Sequence, residues 1–210
     1  MLLFTILGLI TVGSFPFIQG QTADPVKVTV FYESLCPYSI EFFVDQLTPT
    51  YKELSEIMVV ETNAYGHETE VARPSGDGYE FVCQHGSDEC YGNKILACGQ
   101  KYLTDHEVFL DFNFCVMGAS YPPSSAVNCS ELVKISPDVI TGCANSTEGE
   151  NLLHEVGVYQ GQQDPAVEYV PWVIINDIYS RITDTEARSN LKSLVCRTYE
   201  GELPEECNTV

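Results

Sequence analysis

The segment from Val26 to Leu47 decides the fold, and it reads VKVTVFYESLCPYSIEFFVDQL. Its first part has apolar residues at every second position, a period that predicts a half-buried β-strand; these residues are Val26, Val28, Val30 and Tyr32. After Cys-Pro-Tyr-Ser the apolar residues recur at helical spacing, at Ile40, Phe43, Val44 and Leu47. The segment is therefore predicted to fold as a strand, a turn and an amphipathic helix.

Cys36 is predicted to lie at the N-terminus of this helix. Pro37 follows it, and proline suits the first helical position because its missing N–H group would be unpaired there. Free N–H groups and the positive end of the helix dipole favour a thiolate over a thiol. We interpret Cys36 as a redox nucleophile. An ordinary helix-cap cysteine or half-cystine is the alternative.

The N-terminal residues and two glycosylation motifs indicate the secretory pathway. Residues 1–20 resemble a signal peptide, with an apolar run from Leu2 to Ile10 that is too short to span a bilayer. No later stretch is long and apolar enough to insert into a membrane. Asn128 and Asn145 each begin an N-x-S/T motif in polar, turn-like surroundings, and both are candidate glycan sites.

The chain is strongly acidic, with 30 Asp and Glu residues against 10 Lys and Arg residues and a net charge of -20. Such a charge disfavours binding to nucleic acid or to an anionic membrane surface. Mutual repulsion among the carboxylates decreases near pH 4 to 5, where they take up protons. The composition therefore suits an acidic compartment, and an acidic surface is also common in secreted proteins.

The cysteine count indicates four disulfide bonds and one free thiol. Cys36 is the candidate free thiol, because it is the only cysteine in the N-terminal third and lies at a strand-to-helix turn. The eight predicted half-cystines are Cys83, Cys90, Cys98, Cys115, Cys129, Cys143, Cys196 and Cys207. Eight cysteines allow 105 pairings. The short spacing favours only Cys196 with Cys207.

The order of predicted elements is β-α-β, an insertion, and β-β-α, which is typical of an α/β thioredoxin-like fold. A second strand is predicted at Ile57–Thr62 after a helix break at Pro49, and the last two strands at Val170–Ile175 and Ile178–Ile182. Capping boxes predict helix starts at Thr147 and Thr183. The predicted parts are an N-terminal half (24–66), a large disulfide-braced helical insertion (67–168), a C-terminal half (169–196) and a tail (197–210).

The insertion contains the run CQHGSDECYGNKILAC, from Cys83 to Cys98. It resembles the signature C-Q-H-G-x2-E-C-x2-N-x4-C of the gamma-interferon-inducible lysosomal thiol reductase family at every fixed position. The signature residues are Cys83, Gln84, His85, Gly86, Glu89, Cys90, Asn93 and Cys98. This resemblance implies a thioredoxin-like fold, a soluble glycoprotein that is secreted or lysosomal, and reduction of protein disulfides at acid pH. It also implies that a cis-proline loop, Val170-Pro171, faces Cys36 and that the Val170 backbone pairs with an extended substrate.

Read without this resemblance, Cys83, His85, Cys90 and Cys98 would suggest a zinc site. They lack the usual C-x2-C pair, and a secreted chain meets an oxidising environment, so half-cystines around a rigid loop are the favoured interpretation and no metal is predicted. His85 could act as an acid or base facing the substrate. A structural histidine that holds backbone carbonyl groups is the favoured alternative.

The chain departs from the family at Ser39, where reductases of the family carry the second cysteine of C-x-x-C. That cysteine resolves the mixed disulfide, which a serine hydroxyl cannot do, although Ser39 could donate a hydrogen bond to the Cys36 thiolate. We predict no cofactor, and an external small thiol such as cysteine or glutathione as the reductant. The substrates would be proteins with disulfides, and an exposed Cys36 could also form a disulfide-linked dimer. The alternative is a secreted binding protein that has lost catalysis.

Overall fold

The computed structural model describes residues 23–209, so the predicted signal peptide lies outside the described residues. The strands are β1 (Val26–Tyr32), β2 (Met58–Ala64), β3 (Thr69–Ala72), β4 (Tyr79–Val82) and β5 (Trp172–Ile175). The helices are α1 (Pro37–Phe42), α2 (Thr48–Leu54), α3 (Ser87–Tyr102), α4 (His106–Met117), α5 (Ala126–Leu132), α6 (Pro137–Ala144), α7 (Thr147–Gly161) and α8 (Arg181–Thr198). Within residues 23–209, no helix has the length and apolar character needed to cross a bilayer.

The central sheet has the order β2-β1-β5, with β1 parallel to β2 and antiparallel to β5. The prediction that β1 is half-buried is wrong, because Thr29 and Phe31 on its second face are buried as well. Phe31 packs with Trp172 and Ile174, while Val28 and Val30 belong to the main core. Because β1 is the middle strand of a sheet that is covered on both faces, neither face of the strand requires polar residues.

The helix that follows Cys36 continues past Pro49, which was predicted to interrupt it. One π-helical turn at Phe43–Leu47 links α1 to α2. Pro49 is the second residue of α2, and proline is tolerated at the first positions of a helical segment because its missing N–H group is not needed there. The whole helix therefore packs along the sheet and holds Cys36 at its N-terminal end.

Between β2 and β5 the chain forms the predicted insertion, which begins with a two-stranded hairpin of β3 and β4 that the sequence did not reveal. Helices α3 to α7 follow and share the main core with the sheet. Three disulfides brace this region, and they join Cys83 to Cys90, Cys98 to Cys143 and Cys115 to Cys129. All eight predicted half-cystines are thus paired, and the fourth disulfide is the expected one between Cys196 and Cys207.

Two helix starts and one strand differ from the predictions. The strand expected at Ile178–Ile182 is reduced to a single bridge between Ile175 and Ile178. Helix α8 begins at Arg181 because the Ser180 hydroxyl accepts the Ile182 N–H group, so the predicted cap at Thr183 is wrong. Helix α7 likewise begins one residue after Ser146, whose hydroxyl accepts the Glu148 N–H group in place of the predicted Thr147 cap.

Candidate active site

Cys36 occupies the predicted N-cap position of α1, with Pro37 in the first turn. Among the described residues it is the only cysteine outside a disulfide. The expectation that it is exposed is wrong, since only 5% of the residue is accessible to solvent. Its Sγ lies 3.9 Å from the carbonyl oxygen of Val170, to which the thiol donates a long hydrogen bond. Cys36 is therefore covered by the loop that was predicted to face it.

This loop contains the predicted cis peptide bond between Val170 and Pro171, directly before β5. Val170 is itself buried, at 9% exposure, because it lies against the cysteine. The pairing of β5 with β1 places Phe31 beside Trp172, so the end of β1 that leads to Cys36 and the start of β5 lie side by side. The topology thus brings together two segments that are 134 residues apart in sequence.

Ser39 lies on the first turn of α1 and is completely buried. Its hydroxyl accepts a hydrogen bond from the Glu33 N–H group at 3.4 Å, which links the end of β1 to the helix. The thiol of Cys36 donates to Val170, and the hydrogen bond from Ser39 to a Cys36 thiolate stays a prediction. Position 39, where the family has its second cysteine, is therefore occupied by a serine whose hydroxyl holds the end of β1 against the helix.

Residues of the sequence signature hold the turn between β1 and Cys36. The Ser34 N–H group donates to Asn93 Oδ1 at 2.9 Å, and the Ser34 hydroxyl donates to the carbonyl oxygen of Glu89 at 3.2 Å. Both partners lie on α3 and are completely buried. Gly92 allows this close approach, because a β-carbon there would lie 2.4 Å from Ser34 Oγ. The signature thus has a positioning role toward the cysteine turn.

The signature loop itself is tied by the disulfide between Cys83 and Cys90. The prediction that His85 holds backbone carbonyl groups is wrong, because its Nδ1 lies 2.5 Å from Glu89 Oε2 and 3.5 Å from Glu33 Oε2. Gln84 is exposed, and Gly86 has the positive φ angle of 89° that starts α3. The imidazole of His85 therefore contacts a group of buried carboxylates next to the turn that carries Cys36.

The alternative zinc site of Cys83, His85, Cys90 and Cys98 loses three of its four ligands, because all three sulfur atoms are in disulfides. The side chains of Glu33, His85 and Glu89 place ligand-type atoms within 4.8 Å of one another. However, two ligands of a tetrahedral zinc about 2.0 to 2.2 Å from the metal lie roughly 3.3 Å or more apart. The 2.5 Å separation between His85 and Glu89 is that of a hydrogen-bonded acid–base pair.

Three carboxyl groups, from Glu33, Glu68 and Glu89, are buried in this carboxylate cluster. Glu33 accepts the His67 N–H group at 2.6 Å, and Glu68 accepts the side-chain amide of Asn93. One oxygen each of Glu33 and Glu68 has no hydrogen-bond partner among the described residues. Burial raises the pKa of Glu33, and burial together with the neighbouring Glu89 and Glu33 carboxylates raises the pKa of Glu68 to about 9.

The carboxylate cluster predicts that the free energy of unfolding decreases between about pH 5 and pH 8. A group with a raised pKa in the folded state stabilises the protein fully below its unfolded pKa, 4.5 for Glu68, and this stabilisation is lost as the pH rises toward about 9. For one retained proton the loss is at most about 1.4 kcal/mol per pH unit. Chemical denaturation at about pH 5 and at about pH 8 measures this loss in the free energy of unfolding.

Glu68→Gln is the variant that tests this assignment. Glutamine keeps an acceptor for Asn93 and resembles the protonated acid, so we expect near wild-type stability at acid pH and a flatter pH dependence. Glu56→Gln, at an exposed carboxylate, is the matched control and should retain the wild-type slope. An unchanged slope in Glu68→Gln would show that another group causes the pH dependence.

Both candidate glycan sites are exposed. Asn145 ends α6, as expected for a turn-like position, and its amide nitrogen donates to the Thr141 carbonyl oxygen. Asn128 lies inside helix α5 rather than in a turn, and the next residue, Cys129, is bonded to Cys115. The surface positions are compatible with the predicted glycans, which remain predictions.

The comparisons with known proteins agree with this geometry. The family model described as gamma interferon inducible lysosomal thiol reductase (GILT) matches residues 27–133, which include Cys36 and the complete signature. The chain belongs to the GILT family. Its cysteine turn and the signature residues that hold the turn are therefore elements of one family domain.

Relatives match over most of the chain. The GILT protein of Carassius auratus is 36% identical over 187 residues, covering 88% of this chain and 73% of the relative. That of Mus musculus is 33% identical, covering 90% and 74%. GILT-like protein 1 of Drosophila melanogaster is 30% identical, covering 90% and 81%. The resemblance seen in the signature thus extends over most of the chain.

Solved structures confirm the thioredoxin-like fold with its helical insertion. BdbD from Bacillus subtilis in its oxidised form has a TM-score of 0.54 at 15% identity and covers 84% of this chain and 88% of its own. DsbA from Chlamydia trachomatis has a TM-score of 0.51 at 15% identity and covers 83% and 88%. The predicted fold class of this GILT-family chain is therefore correct.

Sequence reasoning missed three buried acidic residues of the site, Glu33, Glu68 and Asp184. Asp184 had a readable signal, because it precedes Ala187 and Leu191 by three and seven residues and so shares their apolar helix face. Glu33 and Glu68 had none, since Glu33 directly follows β1 and Glu68 directly precedes β3, and an acidic residue beside a strand end is ordinarily solvated. Contacts with distant segments bury them, with Gly66 and His67 against Glu33 and Asn93 of α3 against Glu68.

Proposed function

We propose that this protein is a thiol oxidoreductase that reduces disulfide bonds of proteins at acid pH, with Cys36 as a monothiol nucleophile. The observation that carries the proposal is the free Cys36 at a helix N-terminus, facing the cis-proline loop at 3.9 Å from the Val170 carbonyl oxygen. Membership of the GILT family, whose named relatives are lysosomal thiol reductases, supports the reaction class.

The reaction needs two thiols from solution because Ser39 replaces the resolving cysteine. The Cys36 thiolate attacks one sulfur of the substrate disulfide, forming a mixed disulfide and releasing the other sulfur as a thiolate that takes up a proton. A small thiol such as cysteine or glutathione then attacks Cys36 Sγ, and the second substrate sulfur leaves. A second small thiol restores Cys36. The substrate gains two electrons and two protons, and the small thiols become one disulfide.

Two features support action at acid pH in the secretory pathway or lysosome. Because burial raises the pKa of Glu33 and Glu68, the folded protein retains protons on these carboxyl groups beside the cysteine turn more readily than the unfolded chain does, so the fold is most stable at low pH. The net charge of -20 also becomes less negative at acid pH, because carboxylates take up protons. The predicted disulfide-linked dimer loses its main support, because Cys36 is buried.

Trapping of the mixed disulfide tests the monothiol mechanism. Incubation with a disulfide-containing peptide at about pH 5, without small thiol, should leave a stoichiometric adduct on Cys36, because no second cysteine can resolve it. Addition of cysteine should release the adduct, and Cys36→Ser should form none. Mass spectrometry of the intact protein measures all three. Absence of an adduct on the wild type would favour the alternative, a binding protein on the GILT fold without catalysis.

A further inference from the structure

Asp184 is a completely buried carboxylate in the first turn of α8. One of its oxygens accepts the Val173 N–H group at 3.0 Å, and the other accepts the Tyr169 hydroxyl at 2.6 Å. Val173 and Tyr169 lie on either side of the Val170-Pro171 loop. One carboxylate therefore holds both ends of the segment that covers Cys36.

The position of Asp184 follows from the open edge of the sheet. Strand β5 is an outer strand, and within residues 23–209 only the single bridge between Ile175 and Ile178 takes the place of a further strand beyond it. Without an acceptor, the Val173 N–H group on this edge would be buried and unpaired, which is unfavourable. The Asp184 side chain supplies the missing acceptor from a helix.

Tyr169 is fixed on its other sides as well. Its ring packs edge-on against Trp172 at 4.9 Å, and the guanidinium group of Arg188 lies 5.1 Å from its centre. Arg188 also pairs with Asp184 at 3.0 Å, so the buried carboxylate has a compensating charge. The Tyr169 hydroxyl lies 3.0 Å from that of Tyr179. The hydrogen bonds of Asp184 to the loop are thus part of a connected, ordered network.

We propose that Asp184 is a positioning residue that sets the distance between the Val170 backbone and Cys36 and thereby aligns an extended disulfide substrate for attack. The inference rests on the proposed function, in which the Val170 backbone binds the substrate chain. Asp184 does not contact Cys36 in this role. It acts through Tyr169 and Val173, which flank the binding segment.

Two probes of Cys36 separate positioning from folding. Iodoacetamide is small and needs only an accessible thiolate, whereas an extended peptide carrying its cysteine as a disulfide must also align along Val170. We expect Asp184→Ala to slow mixed-disulfide formation with the peptide about tenfold or more, and alkylation less than about twofold, because small misplacements of bound groups lower rates strongly. Asp184→Asn keeps an acceptor for the Val173 N–H group and should slow the reaction with the peptide less than Asp184→Ala does.

Two further variants complete the test. Tyr169→Phe removes one hydroxyl from the network and guards against misfolding of Asp184→Ala. Like Asp184→Ala, it should slow the reaction with the peptide more than alkylation. Glu186→Ala breaks an ion pair with Arg197 on the exposed side of α8 and should leave both rates unchanged.

The outcomes distinguish the inference from the proposed function. If Asp184→Ala and Tyr169→Phe slow both probes equally, or leave the peptide rate unchanged, the positioning role is wrong while the proposed function stands. If the wild type is alkylated but forms no mixed disulfide with the peptide, the proposed function fails and this inference fails with it. A selective loss of the peptide rate supports both.

Discussion

Ser39→Cys is expected to raise the turnover of disulfide reduction by at least about tenfold at a millimolar concentration of external thiol, because an intramolecular thiol acts at a far higher effective concentration. Position 39 follows Cys36 by three residues in the first helical turn, where side chains are neighbours. The new thiol would attack the mixed disulfide and release the reduced substrate, leaving a disulfide between residues 36 and 39 for the external thiol to reduce. A reduction assay at about pH 5 measures the gain.

Cys36→Ser is the matched control, because it lacks the nucleophile in either background. Both Cys36→Ser and the double variant with Ser39→Cys should reduce disulfides no faster than the small thiol alone. A modest loss of stability, about 1 kcal/mol, is expected in Ser39→Cys because sulfur is a weaker acceptor for the Glu33 N–H group. Turnover of Ser39→Cys equal to the wild type would show that position 39 is not aligned for attack.

Gly66→Ala is expected to lower the free energy of unfolding by about 3 to 5 kcal/mol. Gly66 follows β2 with a φ angle of 71°, which disfavours a side chain, and a β-carbon there would lie 2.3 Å from Glu33 Oε1. Glu33 is completely buried, so its side chain cannot turn out into solvent to avoid the contact. The Gln160 side chain also holds both the N–H and the carbonyl group of Gly66. Urea denaturation measures the loss.

Gly76→Ala separates the two contributions. Gly76 has a similar φ angle of 81°, but no atom lies within 4 Å of an added β-carbon. We expect a loss of about 1 to 2 kcal/mol there, which is the backbone cost alone. If Gly66→Ala cost no more than Gly76→Ala, the contact with Glu33 would not be tight in solution.

Ser39→Cys and Gly66→Ala change two different contacts of the turn that contains Glu33. Ser39 fixes the Glu33 backbone from the helix, and Gly66 allows the Glu33 side chain to fit beneath the turn. Glu89 and Asn93 of the signature hold the neighbouring Ser34. The cysteine therefore projects from a turn that three separate segments support, which is the arrangement needed to hold a reacting group in place.

Much of this protein could be predicted from local sequence. The alternation in β1 and the helical spacing after Cys36 place the cysteine at a helix N-terminus, as observed. These predictions succeed because strand and helix periodicity depend on residues close in sequence. The odd cysteine count and the short spacing between Cys196 and Cys207 likewise identified the free thiol and one disulfide.

Tertiary structure alone decided which distant groups meet. Cys98 pairs with Cys143 over 45 residues, and no spacing rule distinguishes this pairing from its alternatives. The burial of Cys36 against Val170, the carboxylate cluster under the turn and the contact of Asp184 with Val173 also join separate segments. The packing of helices on the sheet fixes these contacts. Buried polar groups must then find partners wherever that packing places them.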